Sequence, residues 1–197
     1  MRLTTVLRLA VLTGLLHASV ASAEGATGEK LGTVTFPISC SPAASQQFAR
    51  AVALLHSFWY EEAVKAFTEV TVTDPSCAMG FWGVAMSMYY PLWYPPSEAT
   101  LKAGVAALDR AQALGAKTPR ERDYLAAIEA FYRDWDKSDH RSRTLAYEKA
   151  MERVYARYPD DREAAIFYAL ALNATAPPTD KTYANQLKAG ADRKSVV

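Results

Sequence analysis

From residue 42 to residue 190, apolar residues recur at the spacing of an amphipathic helix, and only short breaks separate one segment from the next. Phe48, Ala51, Val52 and Leu55 share one stripe, and Ala63, Val64, Phe67 and Val70 share another. These are the i, i+3, i+4, i+7 positions of a helix with one buried face. The same pattern predicts helices near 76–90, 97–114, 118–134, 142–158, 161–174 and from 179 onward. Punctuation agrees: Ser97 starts one helix, Thr118-Pro119 with Glu121 starts another, Gly115 closes the one before it, and Asp74-Pro75 and Tyr158-Pro159-Asp160 mark turns. Strand signals are few. The expectation is an all-α chain of antiparallel helix pairs, an α-solenoid, over 42–190, with residues 24–41 as an extended N-terminal arm.

The flanks read differently. Arg2 and Arg8 precede and enter an apolar run, and Ala21-Ser22-Ala23 is a small-x-small cleavage pattern, so residues 1–23 are expected to be a secretory signal peptide. The apolar run is too short for a spanning helix, which needs about 20 residues, and no transmembrane segment is expected in the mature chain. The implied location is periplasmic or secreted. At the other end, residues 191–197 are expected to be a non-native tail, Asp192-Arg193-Lys194-Ser195-Val196-Val197 reading as a translated sequencing adapter. On this reading the last helix is cut short and the protein continues beyond it.

Composition narrows the function. The chain of 197 residues carries a formal net charge of +1, and loss of Arg2 and Arg8 with the signal takes it to −1. Proteins that hold nucleic acid through its phosphates normally carry a basic excess, so no nucleic-acid partner is expected. Two Cys are too few for a disulfide-dense or Cys-rich zinc fold.

The segment Tyr60-Glu61-Glu62-Ala63, then Phe67, then Pro75 resembles the second helix of a tetratricopeptide (TPR) repeat, and Phe81, Val84, Ala85 and Met88 resemble the first helix of the next one. Aligning Pro75 with Pro159 brings Ala85 onto Ala169 and Met88 onto Leu172, and Leu101-Lys102-Ala103-Gly104 recurs as Leu187-Lys188-Ala189-Gly190. The Pro75–Pro119 and Pro119–Pro159 spacings exceed the family's ~34-residue period, and Gln47 stands where that pattern prefers a large aromatic. The whole is similar to exported bacterial TPR-repeat proteins. That resemblance implies a fold and a binding habit, not an activity.

Candidate chemistry is sparse. Trp82, Met86 and Tyr89 fall on one helix face at i, i+4, i+7, with Tyr132 and Asn173 in comparable slots on later helices. Together they would line a concave groove for a peptide or helix, or else pack against the chain's own inserted loops. Three extra-long connections, Pro91–Ser97, Trp135–Arg141 and Ala176–Asp180, would fall on one edge and carry Trp93, Tyr94, Trp135 and His140. Cys40 and Cys77 each precede the first helix of a pair. They are either a disulfide, worth about 3–4 kcal/mol for a loop of this length, or two free thiols. His56 reads as a helix-end residue packed under aromatics, His140 as solvated, Glu61-Glu62 as a surface pair, and Asp160-Asp161 as turn and first-turn acids. No nucleophile motif, phosphate loop or HExxH is present, and no metal or cofactor is expected. The reading is a non-catalytic scaffold for a protein or peptide. The alternative is a helical-repeat enzyme or small-ligand receptor whose site lies further downstream. A metal or haem carrier using His56, Met86 and a Cys is a third possibility.

Overall fold

A computed structural model of the chain describes residues 31–193. The expected signal peptide, residues 24–30 of the expected arm and residues 194–197 of the expected tail lie outside the described residues. Among the described residues the fold is all-helical, with eight helices and no strand. These are α1 (Pro42–His56), α2 (Tyr60–Thr73), α3 (Ala78–Ser87), α4 (Glu98–Leu114), α5 (Pro119–Tyr132), α6 (His140–Arg157), α7 (Arg162–Ala174) and α8 (Ala184–Arg193). None is long and apolar enough to cross a membrane.

Local chemistry sets most of the boundaries. Ser41, Ser97, Asp139 and Asp161 cap α1, α4, α6 and α7 through side-chain oxygens that accept first-turn N–H groups. At α5, Thr118 and Glu121 form a reciprocal capping box with Pro119 in the first turn. Gly115 ends α4 at φ +75°. The last helix starts at Ala184 rather than near 179. Asp180 accepts from the N–H groups of Thr182 and Ala184, and Tyr183 turns the chain at φ +56°.

Each helix packs on its successor, and α1 also meets α3, which meets α5. The core runs between them. Trp82 in α3 is 1% exposed and lies edge-on to Phe67, Tyr124 and Phe167. The centre of this cluster comes from the arm. Phe36 packs on Phe48, Trp82, Tyr124 and Phe167, with ring centroids 4.9–6.4 Å apart.

Polar bonds fix the arm on both sides of Phe36. Arg120 stacks over Phe36 at 4.3 Å, donates to the Pro37 carbonyl and pairs with Asp161 at 2.5 Å. The Ser39 N–H and hydroxyl donate to Glu121 at 2.6–2.8 Å, and Lys117 donates to the Ser39 carbonyl. Cys40 is disulfide-bonded to Cys77 with their Cα atoms 5.2 Å apart, and the Ser41 N–H donates to Asp74. An extended segment has no ladder of its own. Here its groups are satisfied at the start of α5 and the end of α2, and the disulfide ties it to the start of α3.

Candidate functional site

The aromatic face expected to hold a partner is buried by the chain itself. Trp82, Met86, Tyr89 and Tyr132 are all buried. This corrects the expectation that they line an open groove. The reason is the density of aromatic partners. Tyr89 packs on Phe131 at 4.2 Å and Tyr147 at 5.1 Å, the Tyr147 hydroxyl donates to Met86 Sδ, and the Tyr132 hydroxyl donates to the Ala85 carbonyl at 2.7 Å. Burial raises the hydroxyl pKa of Tyr89, Tyr132 and Tyr147, so all three stay neutral; Tyr132 and Tyr147 donate, while the Tyr89 hydroxyl is buried without a partner. Of the inserted aromatics, Trp93 and Tyr94 take no part in this burial: each is 63% exposed.

A cavity of about 510 Å³ remains beside this core. Its walls come from three places. The α1–α2 junction supplies Leu55, His56, Phe58 and Tyr60, the end of α3 and its loop supply Met86, Pro91 and Leu92, and α7 supplies Ile166, Phe167, Ala169, Leu170 and Asn173. Of the residues anticipated from the sequence, Met86 and Asn173 reach it. Trp93 stands next to it, edge-on to Phe58 at 6.0 Å. Tyr94 packs on Tyr90, and Tyr90 on Tyr60. Trp82, Tyr89 and Tyr132 do not line it.

Two aromatic residues at this rim carry backbone strain. Phe58 has φ +59° and Tyr90 φ +52°, the left-handed region that costs a residue with a Cβ about 1–2 kcal/mol. Both follow helix ends. The Phe58 and Trp59 N–H groups return to carbonyls of Leu55 and Leu54, the position where glycine is usual. An aromatic residue there aims a ring outward at the cost of that strain. Burial pushes the Tyr60 hydroxyl up to about 12, with the nearby Trp93 indole pulling the other way.

One polar pair reaches the apolar wall. His56 Nε2 lies 2.7 Å from Glu163 Oε2, with the Glu163 side chain 4% exposed and His56 23% exposed. The imidazole packs on Phe167 at 5.2 Å. The sequence reading placed His56 under aromatics but missed Glu163, which lies 107 residues away. No local pattern links the two. His140, expected in solvent, is half-buried against Phe131, and burial together with Arg143 lowers its pKa against the pull of Asp139. Glu61 and Glu62 are exposed, and Asp161 is a helix cap. Cys40 and Cys77 are bonded to each other, which removes the thiolate that a metal-carrier reading required. A second hollow, of about 620 Å³, lies near Thr35, Arg120, Arg157 and Arg162. There Arg120 pairs with Asp161 and Arg157 with Asp123.

Comparison with protein-family models, with curated proteins and with solved structures finds no match.

Proposed function

We propose that this chain is a non-catalytic, protein- or peptide-binding module of the bacterial cell envelope, built from stacked antiparallel helix pairs of TPR type. Three observations support the repeat reading. Each helix packs on the next, and α1–α3 and α3–α5 add contacts between first helices. A non-glycine residue in the left-handed region follows each of α1, α3 and α5, namely Phe58, Tyr90 and Asp134. The long connections after α3 and α7 hold the exposed aromatics Trp93, Tyr94 and Tyr183. The Cys40–Cys77 disulfide supports an oxidising compartment such as the periplasm.

The binding seat in this proposal is the cavity between the α1–α2 junction, the α3 end and α7, not the buried aromatic face. What carries it is the rim. Phe58, Leu92, Trp93 and Tyr94 are exposed together beside an apolar cavity, on a backbone strained at Phe58 and Tyr90. Aromatic anchors next to a pocket are the usual centres of binding energy at protein interfaces.

The test is selection of peptides from a random displayed library on the purified full chain. The expected result is a family of binders whose affinity falls at least tenfold with Leu92→Asp, and by about 30-fold with Trp93→Ala, the loss of a ~2 kcal/mol hot spot, at unchanged helical content. Recovery of no binders, or binders indifferent to both substitutions, overturns the proposal.

A further inference from the structure

If the cavity is the binding seat proposed above, the chain carries its own template for what covers the α7 wall. Aligning Pro75 with Pro159 brings the first residue of α3, Ala78, onto the first residue of α7, Arg162. The buried stripe of α3, Trp82, Ala85, Met86 and Tyr89, then falls on Ile166, Ala169, Leu170 and Asn173. All four of these α7 residues line the cavity, and none of them is fully buried. The difference is a neighbour. On α3 the stripe is covered by the end of α5 and by α6: Phe131 packs on Tyr89, the Tyr132 hydroxyl donates to the Ala85 carbonyl, and the Tyr147 hydroxyl donates to Met86. On α7 the equivalent carbonyl, that of Ala169, accepts from the exposed Asn173 amide instead.

The following helix repeats the contrast. Leu101 and Gly104 stand in α4 at the same distance from the helix start as Leu187 and Gly190 in α8. A Cβ at Gly104 would strike the Tyr132 ring, whereas one at Gly190 would meet nothing within 4 Å. Leu101 is 5% exposed and Leu187 68%. α5 packs on both α3 and α4, and among the described residues no helix packs on both α7 and α8. The open seat is continuous with the filled one, because Met86 lines the cavity and also lies under Tyr147.

We infer that a partner protein docks a helix across α7 and α8 as α5 docks across α3 and α4. That helix is amphipathic and ends in two adjacent aromatic residues, which enter the cavity as Phe131 and Tyr132 cover α3. A helix satisfies its own N–H and C=O groups, and these walls, apolar except at His56, Tyr60 and Asn173, offer an extended backbone few partners.

The probe is a peptide of the α5 sequence itself, Thr118–Arg133, stapled between positions 122 and 126, which are exposed in the fold, so that it enters as a helix. Titrated into the full chain by calorimetry up to about 1 mM, it should bind saturably, one peptide per chain. Replacing Phe131 and Tyr132 of the peptide by Ala should weaken binding at least tenfold. On the protein, Gly190→Phe puts a ring into the space left open for the partner and should weaken binding by a similar factor. Leu187→Asp, at a side chain already in solvent, should do the same at unchanged helical content and covers a Gly190→Phe chain that misfolds. Binding indifferent to the aromatic pair, or to the substitutions in α8, overturns the inference. So does a dimer of the chain alone that Leu187→Asp dissociates, which assigns the face to a second copy. If the α5 peptide does not bind but the displayed-library binders do, this inference falls and the cavity stands as binding seat; if neither binds, both fall.

Discussion

At the scale of single residues, buried carboxylates do more here than surface charge. Glu121 is 2% exposed. Burial alone would raise its pKa, but donation from the Ser39 hydroxyl and N–H and from the Thr118 N–H outweighs that and holds the pKa below the usual carboxylate value. A carboxylate with a lowered folded pKa contributes stability that is complete above its unfolded pKa and is lost as pH falls through the folded value. Glu121→Gln should therefore cost about 2 kcal/mol at neutral pH, read by urea denaturation. The gap between native and variant should close as pH drops below the ordinary carboxylate range. A gap independent of pH would mean that the charge on Glu121 is not what holds the arm. Part of this residue was legible in the sequence: Thr118-Pro119-Arg120-Glu121 announces a capping box. Its second role, gripping Ser39 across 82 positions, was not, because nothing local to either residue encodes the other.

At the scale of elements, the sequence was most informative. Helix positions followed from periodicity, and the starts of α1, α4, α5, α6 and α7 fall on residues whose side chains satisfy orphan N–H groups, whereas α2 and α3 begin without one. The weak points were helix ends whose stop signals are not glycine. Phe58 and Tyr90 occupy left-handed positions without any sequence cue, so the rim they build was invisible. Close approach between elements is more predictable. A Cβ at Gly83 would collide with the Phe67 ring, and one at Gly104 with the Tyr132 ring. Gly83→Ala should therefore cost about 1–3 kcal/mol by overpacking, although alanine favours helix, and thermal unfolding measures it. Stabilisation by Gly83→Ala would contradict the packing of α2 on α3. Reduction of Cys40–Cys77, which closes a 37-residue separation, should cost about 3–4 kcal/mol. The comparison is between denaturation curves with and without reductant.

At the scale of the whole molecule, the central fact is that the chain buries the aromatic stripe of α3 itself. Phe36 lies outside any periodic segment, so nothing in the sequence marked it as core, yet it joins rings from α1, α3, α5 and α7. Phe36→Ala should cost about 3–5 kcal/mol, the size expected of a core residue and far above that of a loose arm. This occupation explains why the aromatic stripe read from α3 is core, and why exposed aromatics collect instead at the mouth of the cavity beside α7. The claim that this cavity is where the molecule binds is tested most directly by methyl NMR of the full chain, labelled at Met, Ile and Leu, during titration with a peptide selected from the displayed library. Binding in the cavity should concentrate shifts at Met86, Leu92, Ile166 and Leu170, with Leu101 and Leu108 in α4 unmoved. Shifts centred on α4, or none at all at saturating probe, would contradict it.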